Sequence, residues 1–255
     1  MKIDILTLFP EMFTGAFEAS IIKRAVENKI IEIRFINIRD FATDKHQITD
    51  DAPFGGGGGM VMTPQPLAGA IEFALEDEVR NEHTQVVYLS PQGVTHNQEI
   101  ANELAALEHM ILLCGRYEGI DERICEVLID REISIGDYVL SGGEYPAMII
   151  VDSIVRLLPG ALGNEDSFRH DSFYKGLLDY PHYTRPREFC GRSVPDVLLS
   201  GHHKEIEIWR RHESLRRTFL RRPDLLKKAV LSREDLQFIQ KLEKELGKKD
   251  CEAGE

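Results

Sequence analysis

The chain has 255 residues, 42% of them hydrophobic, and a formal charge of −12 at pH 7. That is enough apolar material for one large domain or two moderate ones, without the run of roughly 20 apolar residues that a membrane span needs. Four cysteines (Cys114, Cys125, Cys190 and Cys251) lack Cys-x-x-Cys spacing, so neither a zinc site nor a disulfide framework is expected and a reduced, cytoplasmic setting is the simplest. The opening Met1-Lys2-Ile3-Asp4-Ile5 alternates and soon reaches Pro10, unlike a signal peptide.

Over residues 1–158 strand-like and helix-like patterns alternate. Strands are predicted at 2–8, 31–38, 85–89, 110–113 and 132–135, and helices at 12–28, 64–79, 97–107, 121–128 and 143–158. This alternation predicts an α/β domain over 1–160, a mostly parallel sheet with helices on both faces. Ligands of such sheets bind beyond the carboxyl ends of strands. Residues 161–186 are rich in Gly, Asp, Ser and His and read as a flexible interdomain linker. A smaller helical domain is expected over 187–247, with Ile206, Trp209, Leu215, Phe219 and Leu220 as core positions. Ser232 and Asp235 mark a helix start, Gly247 a stop, and 248–255 a frayed tail.

Three predicted strands end in unusual punctuation. The runs are Tyr88-Leu89-Ser90-Pro91-Gln92-Gly93, Cys114-Gly115-Arg116-Tyr117-Glu118-Gly119, and Ile133-Ser134-Ile135-Gly136-Asp137-Tyr138-Val139-Leu140-Ser141-Gly142-Gly143-Glu144-Tyr145-Pro146. Glycines let backbone approach a ligand, and an opening helix leaves unpaired N–H groups beside it. Three such loops at three strand ends point to one ligand site built largely by backbone. Glu118 within the second loop is balanced between capping a helix and serving a ligand.

Other motifs have plainer readings. Gly55–Gly59 is followed by Met60-Val61-Met62 rather than Gly-Lys-Ser/Thr, which excludes a Walker-type phosphate loop; alone it reads as a flexible surface loop. The Asp44–Asp51 run mixes His46 with carboxylates including Asp50, but no His-Glu-x-x-His is present, so a polar loop is expected and no metal site. Arg156, late in an apolar helix, suits the negative end of the helix dipole. Between Arg185 and Lys228 twelve Lys/Arg face six Asp/Glu, a basic segment on an acidic chain. Its paired arginines, including Arg216, Arg217 and Arg221, are either a solvated face or phosphate contacts.

The three loop motifs, with Leu8-Phe9-Pro10-Glu11-Met12-Phe13 and Pro181-His182-Tyr183-Thr184-Arg185-Pro186, resemble the bacterial tRNA (guanine-N1)-methyltransferase family of the SPOUT superfamily. The resemblance runs from residue 8 to the 215–223 region. It implies a deep trefoil knot in the first domain and transfer of a methyl group from S-adenosylmethionine to N1 of the guanosine immediately 3′ of the anticodon, which helps maintain the reading frame. It implies a donor site formed by Tyr88, Leu89, Ser90, Pro91, Gly115, Tyr117, Glu118, Ser134, Ile135, Gly136, Tyr138, Leu140, Gly142, Gly143 and Pro146. His46, Asp50, Gly55, Gly56, Gly57, Gly59, Arg185, Arg216, Arg217 and Arg221 are expected to face the tRNA. The family usually has a proline where this chain has Gly58, which implies a looser loop.

N1 methylation requires removal of the N1 proton, for which a carboxylate in hydrogen-bond reach is a credible base. The motif Asp-Ser-Phe occurs twice, at Asp166 and Asp171. Its family distance to Gly176-Leu177-Leu178-Asp179 selects Asp171. By resemblance Arg156 stabilises negative charge on guanine O6, and Glu118 supports the donor or a magnesium ion. A homodimer with the active site at the subunit interface is also implied. The rival readings are a knotted methyltransferase acting at another RNA position, a non-catalytic RNA-binding protein, and, more weakly, a nucleotide hydrolase.

Overall fold

The computed structural model describes residues 1–75, 81–162 and 171–252. The chain divides into two compact units, Met1–Glu165 and Asp166–Glu255.

The first unit is built on five parallel strands, β1 (Lys2–Thr7), β2 (Glu32–Asn37), β5 (Thr84–Thr95), β6 (His109–Cys114) and β7 (Arg131–Ser134), in the order β2-β1-β6-β5-β7. A short hairpin, β3 (Asp50–Asp51) with β4 (Val61–Met62), stands outside this sheet. Every residue of the central strand β6, His-Met-Ile-Leu-Leu-Cys, is buried, because a sheet covered on both faces hides both sets of alternating side chains. Met110 and Leu112 pack with Ile3, Ile5 and Val87 under α1 (Ser20–Glu27), α3 (Gln98–Ala105) and α5 (Glu144–Val155). Ile111 and Leu113 face the other way, with Leu6 and Val86, under α2 (Pro64–Leu75) and α4 (Glu122–Leu128). The expected α/β class and its doubly covered parallel sheet are therefore present.

Two local expectations in this unit are corrected. The 12–28 helix is broken: a 3₁₀ turn at Pro10–Phe13 precedes α1, and between them Gly15 takes φ +85°. Phe13 and Phe17 have helical spacing but reach the core from turns, Phe17 stacking on Phe35 and Phe13 meeting both rings at a tilt. The strand expected to end at Leu89 instead resumes after an excursion. Leu89 and Val94 both register against Ile133, so residues 90–93 bulge out between them. The end of the helix expected over 64–79 lies partly outside the described residues.

The second unit contains α6 (His203–Arg221), the short α7 (Pro223–Leu226) and α8 (Arg233–Glu252), preceded by a hairpin of β8 (Glu188–Phe189) and β9 (Arg192–Ser193). Among its described residues Leu177, Leu215 and Leu242 are buried, while Ile206, Trp209 and Phe219 are half-buried. Leu220, expected in the core, is exposed; the buried positions of that turn are Ser214 and Thr218, which bond to the backbone of Leu178. α8 opens with a reciprocal capping box, Asp235 N–H to Ser232 Oγ at 3.1 Å and Ser232 N–H to Asp235 Oδ2 at 2.8 Å. Gly247 does not stop this helix, which runs on to Glu252. A helical glycine costs only about 1 kcal/mol relative to alanine. No described helix is long and apolar enough to cross a membrane.

Candidate active site

The carboxyl ends of β5, β6 and β7 open on a cavity of about 430 Å³. The β5 bulge supplies Ser90 and Pro91 after Tyr88 and Leu89. The turn after β6 supplies Gly115, Tyr117 and Glu118, and the long loop after β7 supplies Ser134, Ile135, Gly136, Tyr138, Leu140, Gly142 and Gly143, with Pro146 from the first turn of α5. The structure thus brings every residue expected at the donor site around one cavity. The loops lock together through backbone: Gly143 N–H donates to Gly115 O at 3.0 Å, and Arg116 bridges Gly142. At Gly143 this leaves no room for a side chain, since a Cβ would lie 2.7 Å from Cys114 Cα.

The cavity wall is acidic. Glu118, Glu122 and Glu132 all line it, while the guanidinium of Arg116 is turned onto the buried Glu144 at 3.0 Å. Cys125, also in the wall, shows the field: burial, then Glu132 and Glu122, push its thiol up to about 11. Burial, then neighbouring Cys125 and Glu132, likewise raise the Tyr88 phenol far above its usual value. Reading strand ends alone missed Glu122, Cys125 and Glu132. The signal was available for Cys125, three residues after Glu122 and so on the same helix face.

Beside this cavity stands the β3–β4 hairpin, whose loop contains Gly55, Gly56, Gly57 and Gly59. It docks by backbone on the turn after β6, with Glu118 N–H to Met60 O at 3.0 Å and Met62 N–H to Gly119 O at 3.0 Å. Asp50, in β3, reaches the Tyr117 hydroxyl, which Arg39 also contacts. Burial and then the Asp50 carboxylate raise that phenol, against the opposing Arg39. His46 is not drawn into this group. It lies in an exposed turn where Asp44 accepts the N–H groups of His46 at 2.7 Å and Ile48 at 2.9 Å.

Arg156 follows α5 directly. Its helix begins at the cavity, and its twelve residues span about 18 Å at 1.5 Å per residue. Arg156 is therefore at the end of α5 remote from the cavity of its own chain.

In the second unit Asp171 lines a separate cavity of about 380 Å³ with Lys175, Asp179, Tyr180, Glu207 and Arg210. Arg185 is exposed. On α6, Arg216 pairs with Glu213 at 3.5 Å, whereas Arg217 and Arg221 form no ion pair among the described residues. Asp166 lies outside the described residues.

These features define an α/β protein with a loop-built cavity at the carboxyl ends of its parallel strands and a separate helical unit carrying arginines. A family model described as tRNA (Guanine-1)-methyltransferase TrmD matches residues 1–228. A tRNA (guanine-N(1)-)-methyltransferase of Dictyoglomus turgidum is 54% identical over 246 residues, covering 96% of this chain and 98% of its own. Enzymes of the same description from Pelotomaculum thermopropionicum and Alkaliphilus metalliredigens are each 57% identical, covering 95% and 96% of this chain and 96% and 99% of their own. The chain belongs to the tRNA (guanine-N1)-methyltransferase family, and it is a methyltransferase.

Proposed function

We propose that this enzyme transfers the methyl group of S-adenosylmethionine to N1 of the guanosine immediately 3′ of the tRNA anticodon, with the donor seated in the cavity between β5, β6 and β7. The observation that carries this is the acidic wall of Glu118, Glu122 and Glu132 at the carboxyl ends of parallel strands. A wall of that sign suits a sulfonium cation and opposes a phosphate. When bound, the donor supplies an electrophilic methyl group.

Asp171 accepts the N1 proton, and Arg156 offsets the negative charge that then develops on guanine O6. Since Arg156 stands about 18 Å along α5 from its own cavity, the proposed site joins the donor cavity of one protomer to residues of a second copy. One face of α5 supports such a homodimer: Tyr145, Ile149 and Asp152 are exposed in a stripe that leads to Arg156. The family knot, the linker role of residues 161–186, tRNA contact by the hairpin glycines and by Arg185, and a cytoplasmic location belong to the same proposal.

Among the described residues no group of three or more His, Cys, Asp or Glu is arranged to hold a metal, so a magnesium ion would be held by Glu118 together with substrate oxygens.

The test is methyl transfer by Asp171→Asn and Asp166→Asn. Loss in the first with retention in the second supports the assignment, and the reverse pattern moves the base to Asp166. Mixing Asp171→Asn with a donor-cavity variant should restore part of the activity if sites are shared between subunits.

A further inference from the structure

We infer that Glu144, Arg116 and Thr7 form a positioning clamp that sets the shape of the donor cavity, and that the charge of Arg116 serves this clamp rather than the substrate. Glu144 opens α5 and is wholly buried. Thr7, at the end of β1, donates its hydroxyl to Glu144 Oε1 at 2.8 Å, and Arg116 Nη2 lies 3.0 Å from Oε2. The same guanidinium donates from Nη1 to Ser141 O at 3.1 Å and stacks over the Phe9 ring at 4.4 Å. Phe9 is tied back in turn, its N–H donating to Thr7 Oγ1 at 3.0 Å.

One carboxylate thus joins the end of β1, the turn after β6 and the loop that precedes α5. The last two form walls of the cavity, through Gly115 on one side and Leu140–Gly143 on the other. Gly142 is pressed between them, because a side chain there would overlap both Arg116 and Glu144. An arginine at the mouth of an RNA-modifying site would ordinarily be read as a phosphate contact. Here its side chain is only 15% exposed and its charge meets Glu144. A carboxylate at a helix N-terminus is favoured by the helix dipole, but solvent would satisfy it equally well. Its burial beneath Thr7 and Arg116 is what fixes the loops, and a preformed cavity saves the ordering cost of binding.

The inference rests on the reading that the cavity holds the methyl donor. The experiment titrates the full-length protein with S-adenosylmethionine by calorimetry and measures kcat at saturating donor for Glu144→Gln, Arg116→Met, their double variant and Thr7→Val. Melting temperatures are recorded beside them. Each clamp substitution should weaken donor binding by about tenfold or more, with Thr7→Val the mildest. The double variant should be no worse than the weaker single one, because both break one unit. At saturating donor kcat should be largely retained, as should affinity for tRNA. Unchanged donor affinity in Thr7→Val and Arg116→Met, whatever happens to melting, overturns the clamp. So does a collapse of kcat with donor binding intact, which would make Arg116 a substrate contact. Leu140→Arg separates the two readings: it should block donor binding if the cavity is the donor site. Donor binding that survives it removes the cavity reading itself, not merely the clamp.

Discussion

Gly59 lies directly on the carboxylate of Glu118. Its φ is +79°, and a Cβ at this position would overlap Glu118 Cγ and Oε1 and stand 2.8 Å from Cδ. The glycine-rich hairpin and the turn after β6 are therefore in contact through a position where any side chain must push Glu118 aside. Gly55, Gly56 and Gly57 also have positive φ, yet nothing lies within 4 Å of where their Cβ atoms would be.

The two kinds of glycine should respond differently to alanine. Gly59→Ala must displace Glu118 and should reduce methyl transfer on the order of 10- to 100-fold, as small misplacements at active sites do. Gly56→Ala leaves Glu118 in place and should cost the local strain of a positive φ, about 1 kcal/mol in an exposed loop, with a smaller fall in methyl transfer through the tRNA-facing hairpin. Initial rates and melting curves of both variants check this. Equal activity in the two would mean that the contact with Glu118 has no role.

The arginine pairs of α6 should divide by partner. Arg222 is engaged by Asp224 at 2.7 Å and Arg211 by the buried Asp235 at 2.8 Å, while Arg217 and Arg221 have no such partner among the described residues. Arg217→Ala and Arg221→Ala should weaken tRNA binding and each flatten its salt dependence by about one phosphate contact. Filter binding at several salt concentrations measures this slope.

Arg211→Ala should act on stability instead. It strands the carboxylate of Asp235, which also caps α8, and should destabilise the second unit by about 1–3 kcal/mol, below the figure for a fully buried pair because Arg211 is partly exposed. Thermal or urea unfolding of the full chain would show it. A variant with wild-type stability but weak tRNA binding would place Arg211 among the phosphate contacts.

Acid should unfold the first unit partly through Asp4. Burial opposes its charge, but hydrogen bonds from His109 at 2.9 Å and from Arg34 at 2.8 Å outweigh this and hold its pKa below 3.8. The folded value is depressed, so this contribution is fully present above 3.8 and is lost as pH falls through the lower folded value. Asp4→Asn should cost about 2–4 kcal/mol at neutral pH and flatten the loss of stability below that point. Urea unfolding of both proteins at several pH values measures the difference.

Much of this molecule was legible because periodicity reports burial. The all-apolar run of β6 and the alternating start of β1 place their strands within a residue or two, and the punctuation after β5, β6 and β7 places the cavity. What escaped depended on partners distant in sequence. Phe13 and Phe17 mimic a helical face, but Gly15 turns the chain and Phe35 supplies the packing. The bulge at 90–93 exists only in the register between β5 and β7. Leu220 matched the helical pattern, but the linker backbone at Leu178 drew Ser214 and Thr218 inward instead. Nothing local marks Glu144 as buried, since Thr7 and Arg116 come from 137 and 28 residues earlier in the chain.

The central claim is methyl transfer to one guanosine of tRNA, and the most direct measurement uses labelled S-adenosylmethionine with two transcripts. They differ only in carrying guanosine or adenosine immediately 3′ of the anticodon. Label in the guanosine transcript alone is the predicted result. Equal label in both would contradict the assigned position, and label in neither, with active protein and magnesium present, would contradict the reaction.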